Sequence, residues 1–126
     1  MSINDRKISF GFDIGGTKIQ PYAEYKNGTS LLDKNGDFIK WEEDRHYIDK
    51  TNDTDQEKKR KITDVMLKQL EKYTNIAEIK TEQIEFIGIV VPGQVEDGVI
   101  QKLVNIGLYN YDILKDFIEE AYKKRI

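Results

Sequence analysis

The stretch Ile8-Ser-Phe-Gly-Phe-Asp-Ile14-Gly15-Gly16-Thr17-Lys18-Ile19 decides how the rest of the chain is read. Ile8, Phe10, Phe12 and Ile14 fall on one side of an extended backbone, and Ser9, Gly11 and Asp13 on the other. That period of two predicts a half-buried strand. Gly15-Gly16 breaks it, and a second extended run begins near Ile19, so a hairpin or tight loop is expected around Gly15 to Lys18. Two glycines at a strand end let a ligand approach the backbone and leave consecutive N–H groups exposed as an anion-binding concavity. Thr17 adds a hydroxyl and Lys18 a positive charge. Asp13, on the polar side just before the turn, can hold Mg²⁺ through water, since hard cations prefer oxygen. A plain hairpin turn that merely needs two glycines has the same local sequence.

Working outward, Asn27-Gly28 and Asn35-Gly36 are turn signals bracketing short runs at Tyr22–Tyr25 and Phe38–Trp41. Pro21 cannot donate to a ladder, which predicts a bulged or irregular second strand. Between Lys40 and Lys61 fourteen of twenty-two residues are charged, with mixed sign. This is expected to be a solvated connection running into a helix. Thr54-Asp-Gln-Glu57 has capping-box spacing. Behind it Ile62, Val65, Met66, Gln69, Leu70 and Tyr73 line one helical face, with Asn75 as a left-handed stop. Ile84 to Val91 is almost entirely apolar and rich in β-branched residues, which predicts a central strand covered on both faces. A short extended stretch from Val99 to Asn105 and a final helix from about Tyr111 to Arg125 complete an α/β chain of order β-β-β-α-β-α.

Bulk properties narrow the function classes. The 126 residues suit one small domain, residues 1–126. The net charge of −3, from 20 basic and 23 acidic residues, favours neither nucleic acid nor an anionic membrane as partner. Cysteine is absent, which excludes disulfides and thiolate metal sites from these residues. The longest apolar run, Phe86–Val91, is far short of the ~18 residues that span a bilayer. The polar start lacks a secretory h-region, so a cytoplasmic location is expected.

Other phosphate motifs fail. The chain has no G-x-x-x-x-G-K-[ST], and Gly11 to Gly16 does not spell G-x-G-x-x-G and leads into a strand. A second signal is Val91-Pro92-Gly93-Gln94-Val95, at the carboxyl end of the apolar strand, where open α/β sheets place ligands. His46, alone in its charged stretch, is expected on a surface loop. Lys58-Lys-Arg-Lys61, with Asp55, Glu57 and Asp64 nearby, is expected to be a solvated helix face. Glu96 and Asp97 sit in a turn with nothing to separate their pKa values, a poor acid/base pair.

Together the two signals resemble the ROK family of sugar kinases and repressors, glucokinase-like in its kinase branch. Asp13-Ile-Gly-Gly-Thr-Lys18 resembles the family's first phosphate motif. Ile87-Gly-Ile-Val-Val-Pro-Gly-Gln-Val95 resembles its strand and sugar-side Pro-Gly loop, and Val104-Asn-Ile-Gly107 its Asn-containing segment. The likeness runs from about Ile8 to Ile126, with Gln20 to Asp53 matching only in outline. It implies the N-terminal lobe of the actin-like (ribonuclease H-like) ATPase fold, with a mixed sheet, stopping before the next strand. It implies ATP with Mg²⁺ as cofactor, held by Asp13, Gly15, Gly16, Thr17 and Lys18. A hexose or hexose derivative would lie near Pro92, Gly93, Gln94 and Asn105.

No catalytic residue is carried over. The family's Glu-Asn-Asp-Ala-Asn, whose Asp is the general base, does not occur in this sequence. A fragment inactive by itself is therefore expected. The alternatives are a repressor fragment and a non-catalytic interaction module of the same fold. The family topology also implies a bare outer edge on the Ile84–Val91 strand, through which self-association is expected.

Overall fold

In the computed structural model, residues 6–91, 94–96, 99–103, 106 and 108–125 are described. Strand β1 (Ile8–Ile14) follows the sequence alternation: Ile8, Phe10, Phe12 and Ile14 are buried and Asp13 is exposed. It turns through Gly15–Lys18 into the antiparallel β2 (Lys18–Tyr25), in a register that sets Phe12 opposite Pro21.

No bulge interrupts β2 at Pro21, contrary to expectation. The reason is parity. The Lys26 N–H donates to the Lys7 carbonyl (2.8 Å) and the Gly15 N–H to the Lys18 carbonyl (2.8 Å). Both pairs belong to the same register, so alternate pairs between them exchange hydrogen bonds and Phe12–Pro21 falls in the non-bonded set. The donor that Pro21 lacks would have pointed away from β1.

The expected third strand at Phe38–Trp41 is not a ladder. The chain after β2 makes single bridges at Glu24–Ser30 and Leu32–Phe38, then a two-residue strand, β3 (Asp44–Arg45), opposite Ile19 and Lys18. Both Asn-Gly turns form, with Gly28 at φ 86° and Gly36 at φ 80°. Side chains hold the segment instead. The Trp41 ring lies 4.6 Å from Tyr73 and 5.4 Å from Tyr22, and the Glu42 N–H donates to Tyr73 Oη at 2.7 Å.

Helix α1 (Asp55–Ile76) begins at the predicted cap. The Glu57 N–H donates to Thr54 Oγ1 (3.1 Å) and the Thr54 N–H to Glu57 Oε1 (3.2 Å). Ile62, Met66, Gln69 and Tyr73 are buried on the predicted face. The stop is not Asn75. The left-handed residue is Glu78 (φ 52°), where the Glu78 N–H donates to the Asn75 carbonyl and the Ile79 N–H to the Thr74 carbonyl, a Schellman ending. Lys58, expected on a solvated face, is buried, whereas Arg60 is exposed.

Strand β4 (Ile84–Val90) runs parallel to β1, giving the sheet order β3-β2-β1-β4. It is an edge strand and is not covered on both faces. Ile87 and Ile89 pack on the core, but Phe86 is 63% and Val90 64% exposed. Beyond β4 comes a second, antiparallel sheet of β5 (Gln94–Glu96), β6 (Val99–Leu103) and β7 (Leu108–Tyr111), in that order. The sequence suggests only one extended stretch here. Leu108-Tyr-Asn-Tyr111, which reads as a lead into the helix, instead pairs with Ile100, Lys102 and Leu103. Helix α2 (Ile113–Arg125) starts two residues later than expected, where Asp112 Oδ1 accepts from the Lys115 N–H at 3.1 Å. The element order is thus β-β-β-α-β-β-β-β-α, longer than expected. One core cluster joins β1 and β2 to Ile62 and Met66 of α1 and to Ile113 and Phe117 of α2.

Candidate functional site

The β1–β2 hairpin carries Asp13 to Lys18 as one contiguous, outward-facing group. Asp13, Gly16, Thr17 and Lys18 are exposed and Gly15 is half-buried. The need for glycine at position 15 is spatial, since a Cβ there would stand 3.1 Å from the Lys18 carbonyl oxygen. The Gly15 N–H closes the hairpin on that same carbonyl and is not available to an anion. The N–H groups of Gly16 and Thr17 have no backbone partner among the described residues. The face of the turn open to a ligand is therefore narrower than the sequence suggests, with two amides and the Thr17 hydroxyl.

His46 braces the turn from below. It is 4% exposed, which overturns the expected surface loop. Its backbone N–H donates to the Thr17 carbonyl (3.2 Å), and ring Nε2 lies 3.2 Å from the Gly15 carbonyl. The Ile48 N–H donates to Nδ1 at 3.3 Å, so Nδ1 carries the lone pair and Nε2 the proton. A neutral imidazole satisfies both ring contacts. Burial is the main influence that lowers its pKa; bonds to the Gly15 and Gly16 backbone oppose this, and the charges of Lys61 and Arg45 add to the lowering. The charged neighbourhood hides this residue in the sequence. The available signal is Ile48, two residues on, which marks an inward-facing position for His46.

Gln69 is a second support. A polar residue on the apolar stripe of α1, it donates through Nε2 to the Ile19 carbonyl (2.8 Å) and to Asp44 Oδ2 (2.9 Å), pinning β3 and the start of β2 to the helix.

The second predicted loop is only partly placed. Pro92, Gly93 and Asn105 lie outside the described residues. Gln94 opens β5 opposite Lys102. What the structure does fix is the direction of approach. In the parallel β1/β4 pair Asp13 stands opposite Val90, so the chain leaves β4 at the same sheet end at which β1 turns through Gly15. Among the described residues no group of acidic and histidine side chains could hold a metal by itself, and no helix is long and apolar enough to cross a membrane.

No family model matches the chain, and no curated protein matches it. A solved structure does, a "putative sugar kinase" from Cytophaga hutchinsonii, with a TM-score of 0.53 and 17% sequence identity. The match covers 90% of this chain and 32% of that one. The likeness is one of fold. This chain has the mixed α/β architecture of part of that protein, with a four-stranded mixed sheet as expected in outline. It spans about a third of the neighbour's length.

Proposed function

We propose that the chain is the phosphate-binding part of an ATP-dependent hexose kinase of the ROK type, and that it does not phosphorylate sugar by itself. The observation that carries this reading is the parallel register of Asp13 with Val90, which directs the Gly15–Lys18 hairpin and the β4 exit to one end of the sheet. Ligands of open α/β sheets sit at the carboxyl ends of strands, and here two candidate loops start from neighbouring ones.

The hairpin fits a polyphosphate in outline. The Gly16 and Thr17 amides would donate to phosphate oxygens, the Thr17 hydroxyl would add a donor, and Lys18 a charge. Asp13, exposed on the strand before the turn, would hold Mg²⁺ through water. Bound MgATP would supply the transferable phosphoryl group, with the metal neutralising its charge. His46 acts as a positioning residue, holding the Gly15 and Thr17 carbonyls so that the intervening amides face outward. A hexose would lie on the Pro92–Gln94 side, with Asn105 near it. The sequence contains no counterpart of the family's general base, a role worth typically ~10²- to 10⁴-fold, so no turnover is expected from these residues.

Amide NMR titration with MgATP and with pyrophosphate tests the binding. The Gly16 and Thr17 signals should move in both, weakly, and immobility in both titrations would sink the phosphate role. Sugar-dependent ADP release at enzyme-like rates from the purified chain would overturn the inactivity.

An interaction module is the second reading, favoured by the open edge of β4 and by Phe86 and Val90 exposed beside it. It entails self-association through that edge.

A further inference from the structure

A cleft of about 460 Å³ opens between the Asp44–Tyr47 segment and α1. Lys61, Val65, Lys68 and Lys72 follow one another along the helix at intervals of four, three and four residues, so one stripe of α1 forms its wall. With Arg45 opposite, four cations face two carboxylates, Asp44 and Asp64, in a chain whose net charge is −3. Asp44 is already engaged by Gln69. Lys61 is held by Asp53 and by the Tyr47 carbonyl, and the Lys72 ammonium lies 5.1 Å from the centre of the Tyr73 ring. Lys68 has no partner among the described residues. The cleft thus keeps a positive balance, Arg45, Lys61, Lys68 and Lys72 outnumbering Asp44, Asp53 and Asp64 by one, and its volume is that of a small-molecule site.

Tyr47 adds a second, independent feature. Its backbone sits at φ 56°, a left-handed conformation that a bulky residue adopts only at a cost. Burial does not offset that cost, since Tyr47 is 72% exposed. The Arg45 guanidinium lies over one face of the ring, 5.2 Å from its centre, and the exposed opposite face is left as a flat aromatic surface.

We propose that this cleft is a second ligand site, distinct from the Gly15–Lys18 hairpin, that takes a small phosphate monoester bearing a flat ring. The phosphate lies among Arg45, Lys68 and Lys72, where a guanidinium and two ammonium groups match its charge and its oxygens. The ring stacks on Tyr47, with Val65 as the apolar floor. The site does not depend on the kinase reading, because Arg45, Tyr47, Val65, Lys68 and Lys72 lie outside the hairpin, although the cleft adjoins it through His46 and the Lys18–Arg45 pair.

Phenyl phosphate is the probe, followed by amide NMR on the intact chain, with inorganic phosphate and phenol as the two halves of the ligand. Phenyl phosphate should move the Arg45, Tyr47, Val65 and Lys68 amides saturably. Inorganic phosphate should bind there at least tenfold more weakly, and phenol should leave them unmoved. Lys68→Glu should weaken phenyl phosphate at least tenfold. Tyr47→Gly relieves the backbone and so keeps the fold, while reducing phenyl phosphate to the affinity of inorganic phosphate. Equal binding of all three probes, shifts confined to Gly15, Gly16 and Thr17, or indifference to both substitutions would overturn the proposal.

Discussion

The two faces of the four-stranded sheet are built from alternate residues of the same strands, and they serve different ends. On one face Ile8, Phe10, Phe12 and Ile14 of β1, with Ile87 and Ile89 of β4, meet Ile62 and Met66 of α1 and Phe117 of α2. On the other, Asp13, Tyr22, Phe86 and Val90 face outward, and no described helix covers them. In a strand of period two, a substitution at one position tests stability and its neighbour tests what the sheet presents to a ligand or partner. The stabilising residues and the candidate site residues are interleaved in sequence yet separated by the thickness of one sheet.

The largest expected effect is on the closed face. Phe12 is 2% exposed and its ring centre lies 5.4 Å from that of Phe117. Phe12→Ala should cost about 3–5 kcal/mol, measured as a lower urea midpoint with unchanged slope. A loss below about 1 kcal/mol would mean that the two faces are not distinguished as described.

At the turn joining the strands the contrast sharpens. Gly15→Ala forces a Cβ to 3.1 Å from the Lys18 carbonyl, backbone that cannot swing aside. It should cost roughly 1–3 kcal/mol and shift the Gly16 and Thr17 amides in the free protein. An unstrained, fully stable alanine variant would show that the turn has more room than its geometry implies.

His46, buried on the closed side beneath that turn, gives a pH-dependent test. Its folded pKa lies below the ordinary 6.5, so the unfolded chain binds the proton more readily. The contribution of His46 is complete above the unfolded pKa and is lost as pH falls from about 6.5 toward the folded value. His46→Gln retains a neutral N–H for the Gly15 carbonyl and should flatten that part of the stability profile between about pH 8 and pH 5. An unchanged difference profile would remove His46 as the titrating group.

The smallest effect on stability, though not on behaviour, belongs to the open face. Val90→Lys should change stability by no more than about 0.5 kcal/mol, because the side chain is already 64% exposed. It should also abolish the self-association expected of the β4 edge, by placing charge on an unguarded strand. Sedimentation of the unsubstituted protein as a monomer at high concentration would end that reading.

Local chemistry in the sequence determined a good deal. The β1 alternation, the Asn-Gly turns, the Thr54–Glu57 capping box and the apolar stripe of α1 all form as the residues dictate, because each is set by neighbours within about one turn or one strand pair. The hairpin bearing Asp13 to Lys18 was readable for the same reason. Tertiary structure decided the rest. Pro21 fits an unbroken strand only because pairing parity turns its missing donor away from β1. The left-handed stop beyond α1 is Glu78 and not Asn75, with the Ile79 N–H reaching back to the Thr74 carbonyl. The apolar composition of Ile84–Val90 could not tell a covered strand from an edge strand, since Phe86 and Val90 look alike in sequence whether or not anything packs on them. His46 was hidden for a related reason. Burial is a property of what surrounds a residue, and its surroundings are carbonyls from Gly15 and Thr17, some thirty positions away. Sequence sets local conformation through short-range sterics and hydrogen bonds, whereas exposure, edge position and the bracing of the hairpin depend on contacts between distant segments, which exist only once the chain has folded.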